Sequence, residues 1–199
     1  MTDSTALSAL ILAGGQGLRM GGIDKGLVDL NHRRMVEHVL ERVKSQVPLI
    51  MISANRSHPE YQRYGFPVVA DQADNFLGPL AGMAQGLRQS TTPWLMVVPC
   101  DSPQLPLDLA LRLSQAASKL NTQVAVAHDG EHLQPAFNLI HRDLLTDLQR
   151  YLDQGGRKLG YWLRQQQPAI VDFSDQPQSF INLNSPEQLN TFQQQMLSR

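Results

Sequence analysis

Four short segments of the chain are apolar on successive residues and stop abruptly at small or polar ones: Leu7–Leu12, Leu49–Ser53, Phe66–Ala70 and Trp94–Val98. Unbroken apolar runs of this length suit strands covered on both faces, as in parallel sheets. Between them the period changes to that of a helix. After Asn31, Met35, Val36, Val39, Leu40, Val43 and Val47 recur at three- and four-residue spacing, while Glu37, Glu41 and Lys44 fall elsewhere. A second helix is predicted from Gly78-Pro79, with Leu80, Met83, Ala84 and Leu87 turned inward. A third follows Pro106, through Leu109, Leu113, Ala116, Ala117 and Leu120. Strand and helix in alternation imply an α/β sheet with right-handed crossovers.

The second half of the chain is less regular. Val124–Ala127 and Leu133–Ile140 flank Asp129-Gly130, a tight-turn signal, and predict a hairpin that adds an antiparallel edge to the parallel sheet. Helices are expected over Leu144–Leu152 and Lys158–Gln166. The last helix is the best marked: Ser185 can cap it, Pro186 suits its first position, and Gln188 completes a Ser-x-x-Gln capping box. There is no internal repeat, long linker or block of charge, so one domain of 199 residues is expected.

Composition narrows the function. Hydrophobic residues make up 42% and charged residues 18%, and the formal net charge of −1 offers no basic field for a nucleic-acid backbone. A single cysteine, Cys100, excludes an internal disulfide framework and four-thiolate zinc sites. No apolar run approaches the roughly 20 residues needed to cross a bilayer. The N-terminal stretch lacks the positive region and cleavage site of a secretory signal, so a cytoplasmic protein is expected.

In open α/β sheets ligands sit outside the carboxyl ends of the strands. Here those ends carry a glycine-rich loop from Ala13 to Lys25, then Ser53-Ala-Asn55, Asp71, and Pro99-Cys-Asp101. Two familiar phosphate loops can be tested against the first. The dinucleotide fingerprint G-x-G-x-x-G starts at Gly15-Gln-Gly17 but meets Met20 where its third glycine belongs. A Walker A loop has the right spacing from Gly17 to Gly22, yet Ile23 follows in place of lysine. What remains is a loop with Gly14, Gly15, Gly17, Gly21 and Gly22, whose backbone N–H groups can approach phosphate oxygens while Arg19 and Lys25 add positive charge. The same glycines could equally form a plain surface loop; the two cations and the strand-end position favour an anion site. Asp101 can close the turn at Ser102-Pro103 or ligate Mg²⁺, an ion that takes one or two carboxylates plus phosphate oxygens. Asp71 has the same two readings on position alone. Cys100, Tyr61, Tyr64 and Phe66 are assigned to packing. His128 and His132 span a predicted turn without the companions of a zinc site.

The string Leu12-Ala-Gly-Gly-Gln-Gly-Leu-Arg-Met-Gly-Gly-Ile-Asp-Lys25 resembles the opening signature of the molybdenum cofactor guanylyltransferases. Ser53-Ala-Asn-Arg56, Gly78-Pro-Leu-Ala-Gly82, Pro99-Cys-Asp101, Val171–Asp175 and Phe180–Leu189 follow in that family's order, so the resemblance covers most of the chain. It implies a Rossmann-like three-layer nucleotidyltransferase fold, with a nucleotide-binding part over about residues 1–105 and an acceptor-binding part over about 106–199. It also implies transfer of GMP from GTP to molybdopterin with Mg²⁺. By the same resemblance Leu12, Ala13, Gly14, Gly15 and Asn55 line the nucleotide site and Lys25 holds phosphate. Asp71 contacts nucleotide, Asp101 binds both metal and nucleotide, and Asn182 and Asn184 lie near the pterin. The chain departs from some relatives in having Ser53 where they carry an asparagine. Cofactor-insertion proteins and molybdoenzyme apoproteins are the implied recipients of the product.

On this reading Asp101 fixes Mg²⁺, while Arg19 and Lys25 neutralise charge on the α-phosphate and the departing pyrophosphate. Two rivals stand beside it: a cytidylyl- or sugar-phosphate nucleotidyltransferase on the same sheet, and a non-catalytic nucleotide-binding assembly protein.

Overall fold

The computed structural model describes residues 7–13, 24–70 and 78–197. In chain order the strands are β1 (Leu7–Leu12), β2 (Asp29–Leu30), β3 (Arg33–Arg34), β4 (Leu49–Ser53), β5 (Val68–Val69), β6 (Trp94–Pro99), β7 (Val124–His128), β8 (Leu133–His141) and β9 (Ala169–Asp172). The helices are α1 (Met35–Lys44), α2 (His58–Gln62), α3 (Pro79–Gln89), α4 (Leu109–Leu120), α5 (Leu145–Asp153), α6 (Leu159–Gln165) and α7 (Pro186–Leu197).

Seven strands form one sheet in the order β5-β4-β1-β6-β8-β7-β9. Its middle is built from the runs that are apolar on both faces: β1 pairs in parallel with β4 on one side and β6 on the other. The hairpin forms as the Asp129-Gly130 signal requires, and β8 runs antiparallel to both β6 and β7. It does not end the sheet, however. β8 lies inside, β7 returns to the parallel direction, and β9 pairs with β7 as the outer strand. The carboxyl ends of β1, β4, β6, β7 and β9 therefore share one edge.

Helices cover both faces. Val36, Val39, Leu40 and Val43 of α1 and Leu109, Leu113 and Ala117 of α4 pack on the face formed by Ala9, Ile11, Met96, Val98 and Leu139. Leu80, Met83 and Leu87 of α3, Leu148 of α5 and Trp162 of α6 cover Leu10, Leu95, Val97 and Val126 on the other. At about 25 cal/mol per Å² of apolar surface removed from water, these two layers are the dominant favourable term in folding.

Local deviations have local causes. The Phe66–Ala70 run narrows to the two residues of β5, because only Val68 and Val69 find partners, Ile52 and Ser53. α1 ends at Lys44, and Val47 is buried beyond it with its N–H on the Val43 carbonyl at 3.0 Å. The β2–β3 hairpin turns on Asn31 and His32, both at positive φ as a tight two-residue turn needs. It packs with α7 through Leu30, Met35, Leu183 and Phe192. Among the described residues no helix is long and apolar enough to cross a membrane.

Candidate functional site

Asp24 opens a single 3₁₀ turn over Lys25–Leu27. Lys25 thereby stands at the carboxyl edge of the sheet. Its ammonium lies 3.2 Å from Asp101 Oδ2 and also donates to Asn184 Oδ1. The two partners are remote from Lys25 in the chain, by 76 and 159 residues. Asp101 follows β6, and Asn184 sits in the segment before α7.

Asp101 is well shielded, its side chain 14% exposed against 23% for Lys25. Burial pushes its carboxyl above the ordinary carboxylate value, and the neighbouring Lys25 pulls it back. A carboxylate kept in such a place is held in tension between desolvation and the nearby Lys25 cation, a state common at functional sites. Cys100 beside it is buried and its thiol is pushed well up by that burial, which suits a packing role.

The segment from Asn182 to Asn184 is fastened to the Asp101 turn. Leu183 N–H donates to the Asp101 carbonyl at 2.9 Å, and the Ser102 hydroxyl donates to Asn182 Oδ1. Asn184 is fixed from the other side, its N–H donating to Gln188 Oε1 at 2.8 Å. The capping box is thus shifted by one residue. Gln188 N–H does bond to Ser185 Oγ at 3.3 Å, but the glutamine amide reaches back to Asn184, one residue before the predicted cap.

The remaining predicted residues take two positions. Leu12 and Ala13 end β1 between its neighbours: Cys100 N–H donates to the Leu12 carbonyl at 3.0 Å and Ala13 N–H to the Ser53 carbonyl at 2.7 Å. Asn55 lies half-buried in the bend after β4. Ser53 is buried with its hydroxyl against α3; a Cβ on Gly82 would stand 2.4 Å from Ser53 Oγ. Gly14, Gly15, Arg19 and Asp71 lie outside the described residues.

Sequence reasoning missed the support beneath this edge. Tyr61 donates its hydroxyl to Asp24 Oδ1 at 2.6 Å, and Asp24 Oδ2 faces Arg56 Nε at 3.8 Å. The one available signal was Asp24 itself, a carboxylate placed next to the loop lysine.

Among the described residues no three His, Cys, Asp or Glu side chains gather as a metal cluster. One shielded carboxylate at a strand end is still a fitting donor for Mg²⁺, which fills its shell from phosphate oxygens and water. Chemically, the edge brings together a cation, a carboxylate and the Asn184 amide, with Asn182 fastened nearby to Ser102, a set that suits an anionic substrate.

Comparison with known proteins shows the family. Residues 9–169 match the family described as the MobA-like NTP transferase domain. A molybdenum cofactor guanylyltransferase of Shewanella frigidimarina is 47% identical over 92% of this chain and 93% of its own. A protein of the same name from Vibrio parahaemolyticus is 46% identical over 98% of both chains. Among solved structures, molybdopterin-guanine dinucleotide biosynthesis protein A of Archaeoglobus fulgidus superposes with a TM-score of 0.81 at 20% identity, covering 96% of this chain and 100% of that one.

Proposed function

Because the chain belongs to the MobA-like NTP transferase family, with guanylyltransferase relatives matched over nearly its whole length, we propose that it transfers GMP from GTP to molybdopterin. The terminal phosphate of molybdopterin attacks the α-phosphorus of GTP. A new phosphorus–oxygen bond forms as the bond to the β-phosphate breaks, and pyrophosphate leaves.

The observation that carries this reading is the Lys25 ammonium held between Asp101 and Asn184. In-line phosphoryl chemistry asks the protein for position and charge stabilisation and needs no protein nucleophile. Lys25 supplies a fixed positive charge for the phosphate oxygens, and Arg19 adds a second from the glycine loop. Asp101 is the residue that would hold Mg²⁺, whose chemistry when bound is to neutralise phosphate charge as a Lewis acid. Asn182 and Asn184 would orient the acceptor, since amides can both donate to phosphate and accept from a pterin N–H. Leu12, Ala13, Gly14, Gly15, Asn55 and Asp71 would frame the nucleotide. The expected setting is the cytoplasm, and cofactor-insertion proteins or molybdoenzyme apoproteins would receive the product.

Pyrophosphate release from GTP tests the reading. It should require both Mg²⁺ and molybdopterin. Release that proceeds equally without molybdopterin would mean a nucleotide hydrolase, and none under any condition would favour a binding protein.

A further inference from the structure

The residues directly before and after Lys25 in the chain both meet the phenol of Tyr61. Asp24 is 9% exposed, and its Oδ1 accepts from the hydroxyl of Tyr61, a side chain with no exposure at all on α2. Among the described residues Asp24 Oδ2 makes no hydrogen bond, and it faces Arg56 Nε at 3.8 Å. On the other side of Lys25, Gly26 is seated on the same phenol. A Cβ there would come within 2.4 Å of the Tyr61 oxygen and 3.4 Å of Cys100 Sγ. One hydroxyl therefore meets the residues on both flanks of Lys25, next to the cysteine that precedes Asp101.

Stability alone is a poor reason for this arrangement. A buried carboxylate costs free energy unless fully paired, and an apolar pair of similar volume commonly holds a core as well or better. Among the described residues one oxygen of Asp24 lacks a hydrogen bond, and Tyr61 is surrounded by apolar residues of the main core. What the pair does provide is direction. It sets the 3₁₀ turn at a fixed distance from the end of β6.

We propose that Tyr61 and Asp24 are positioning residues that hold the Lys25 ammonium against Asp101 in the geometry required for transfer. The proposal rests on the guanylyltransferase reading for its kinetic consequence, though not for its structural one. A misplacement of about 1 Å at a reacting group can cost about 10²-fold in rate, so a partly loosened lysine should cost about tenfold.

The test is Tyr61→Phe, which deletes one oxygen atom. Its kcat at saturating substrates should fall about tenfold while the KM for GTP stays within about twofold and the melting temperature within a few degrees. In a Lys25→Ala background the same change should cause no further loss of kcat, because Tyr61 acts through the lysine. Asp24→Asn keeps an acceptor for the phenol and should lose less kcat than Tyr61→Phe. A wild-type kcat in Tyr61→Phe, or the same loss repeated without Lys25, would overturn the proposal, as would an Asn variant that loses as much as the Phe variant. A readout independent of the transfer reaction is acetylation of Lys25 by acetic anhydride, followed by mass spectrometry without substrates. Lys25 should react faster in Tyr61→Phe than in the wild type. Equal rates would refute the pin even if GMP transfer is normal. Faster labelling in a protein that transfers no GMP would uphold the pin and refute the functional reading alone. If Tyr61→Phe does not fold, Asp24→Leu, which removes the acceptor, carries the same labelling comparison.

Discussion

At the scale of single residues the proposed chemistry rests on Asp101 and Lys25, and removing them should have different signatures. Asp101→Ala removes a carboxylate that burial disfavours, so the folded protein should keep its melting temperature within a few degrees while most transfer is lost. Near-normal turnover with intact Mg²⁺ dependence would refute that role. Lys25→Ala removes one charge-assisted donor and should cost on the order of 10²-fold in kcat, with a smaller effect on KM. Two tyrosines, Tyr61 and Tyr64, also set a pH limit on stability. Burial pushes the Tyr61 phenol far up, and burial together with the hydrogen bond to Glu37 raises Tyr64 to about 12. Both folded values lie above the ordinary value of about 10, so their contribution is complete below about pH 10 and is lost as the pH rises beyond it. Urea unfolding should show stability falling above about pH 10, and Tyr61→Phe should flatten that fall. An equally steep decline in the variant would remove Tyr61 from the explanation.

Among the elements, α7 has the clearest division of labour. Phe192 and Leu183 close a small core with Leu30 and Met35, and that core holds the segment carrying Asn182 and Asn184 over the Asp101 turn. Phe192→Ala should destabilise the protein by about 3 kcal/mol. It should raise the KM for molybdopterin more than that for GTP; equal effects on both substrates would mean α7 serves stability alone. The last helix was legible from Ser185, Pro186 and Gln188, yet its bond to Asn184 was not, since capping statistics speak only to the first turn. Similar reasoning explains the strands. β1, β4 and β6 declare themselves because both faces are covered and their residues are almost all apolar. β9 does not, because it is a four-residue outer strand whose burial alternates. β8 reads as an edge because a hairpin is a local signal, while its place between β6 and β7 depends on pairings far apart in the chain.

For the molecule as a whole, one sheet gathers a site from segments that are remote in sequence. Lys25 and Asn184 are 159 residues apart, and Lys25 and Asp101 are 76 apart. Strand-end position in the sequence is enough to place Lys25 and Asp101 on a common edge, since the carboxyl ends of parallel strands converge. It is silent on the asparagines, which follow no strand and are reached only through the family resemblance. Tyr61 reads as a packing residue in sequence because nothing local reveals that its hydroxyl faces Asp24. The central claim joins these pieces: the edge where Lys25, Asp101 and Asn184 meet transfers guanylate to a pterin phosphate. The most direct measurement is transfer of α-labelled nucleotide to molybdopterin, run with GTP, CTP and ATP for the wild type and for Asp101→Ala. Label should move from GTP in clear preference to the other two and should not move in the variant. Equal use of CTP, or transfer undiminished in Asp101→Ala, would contradict the account.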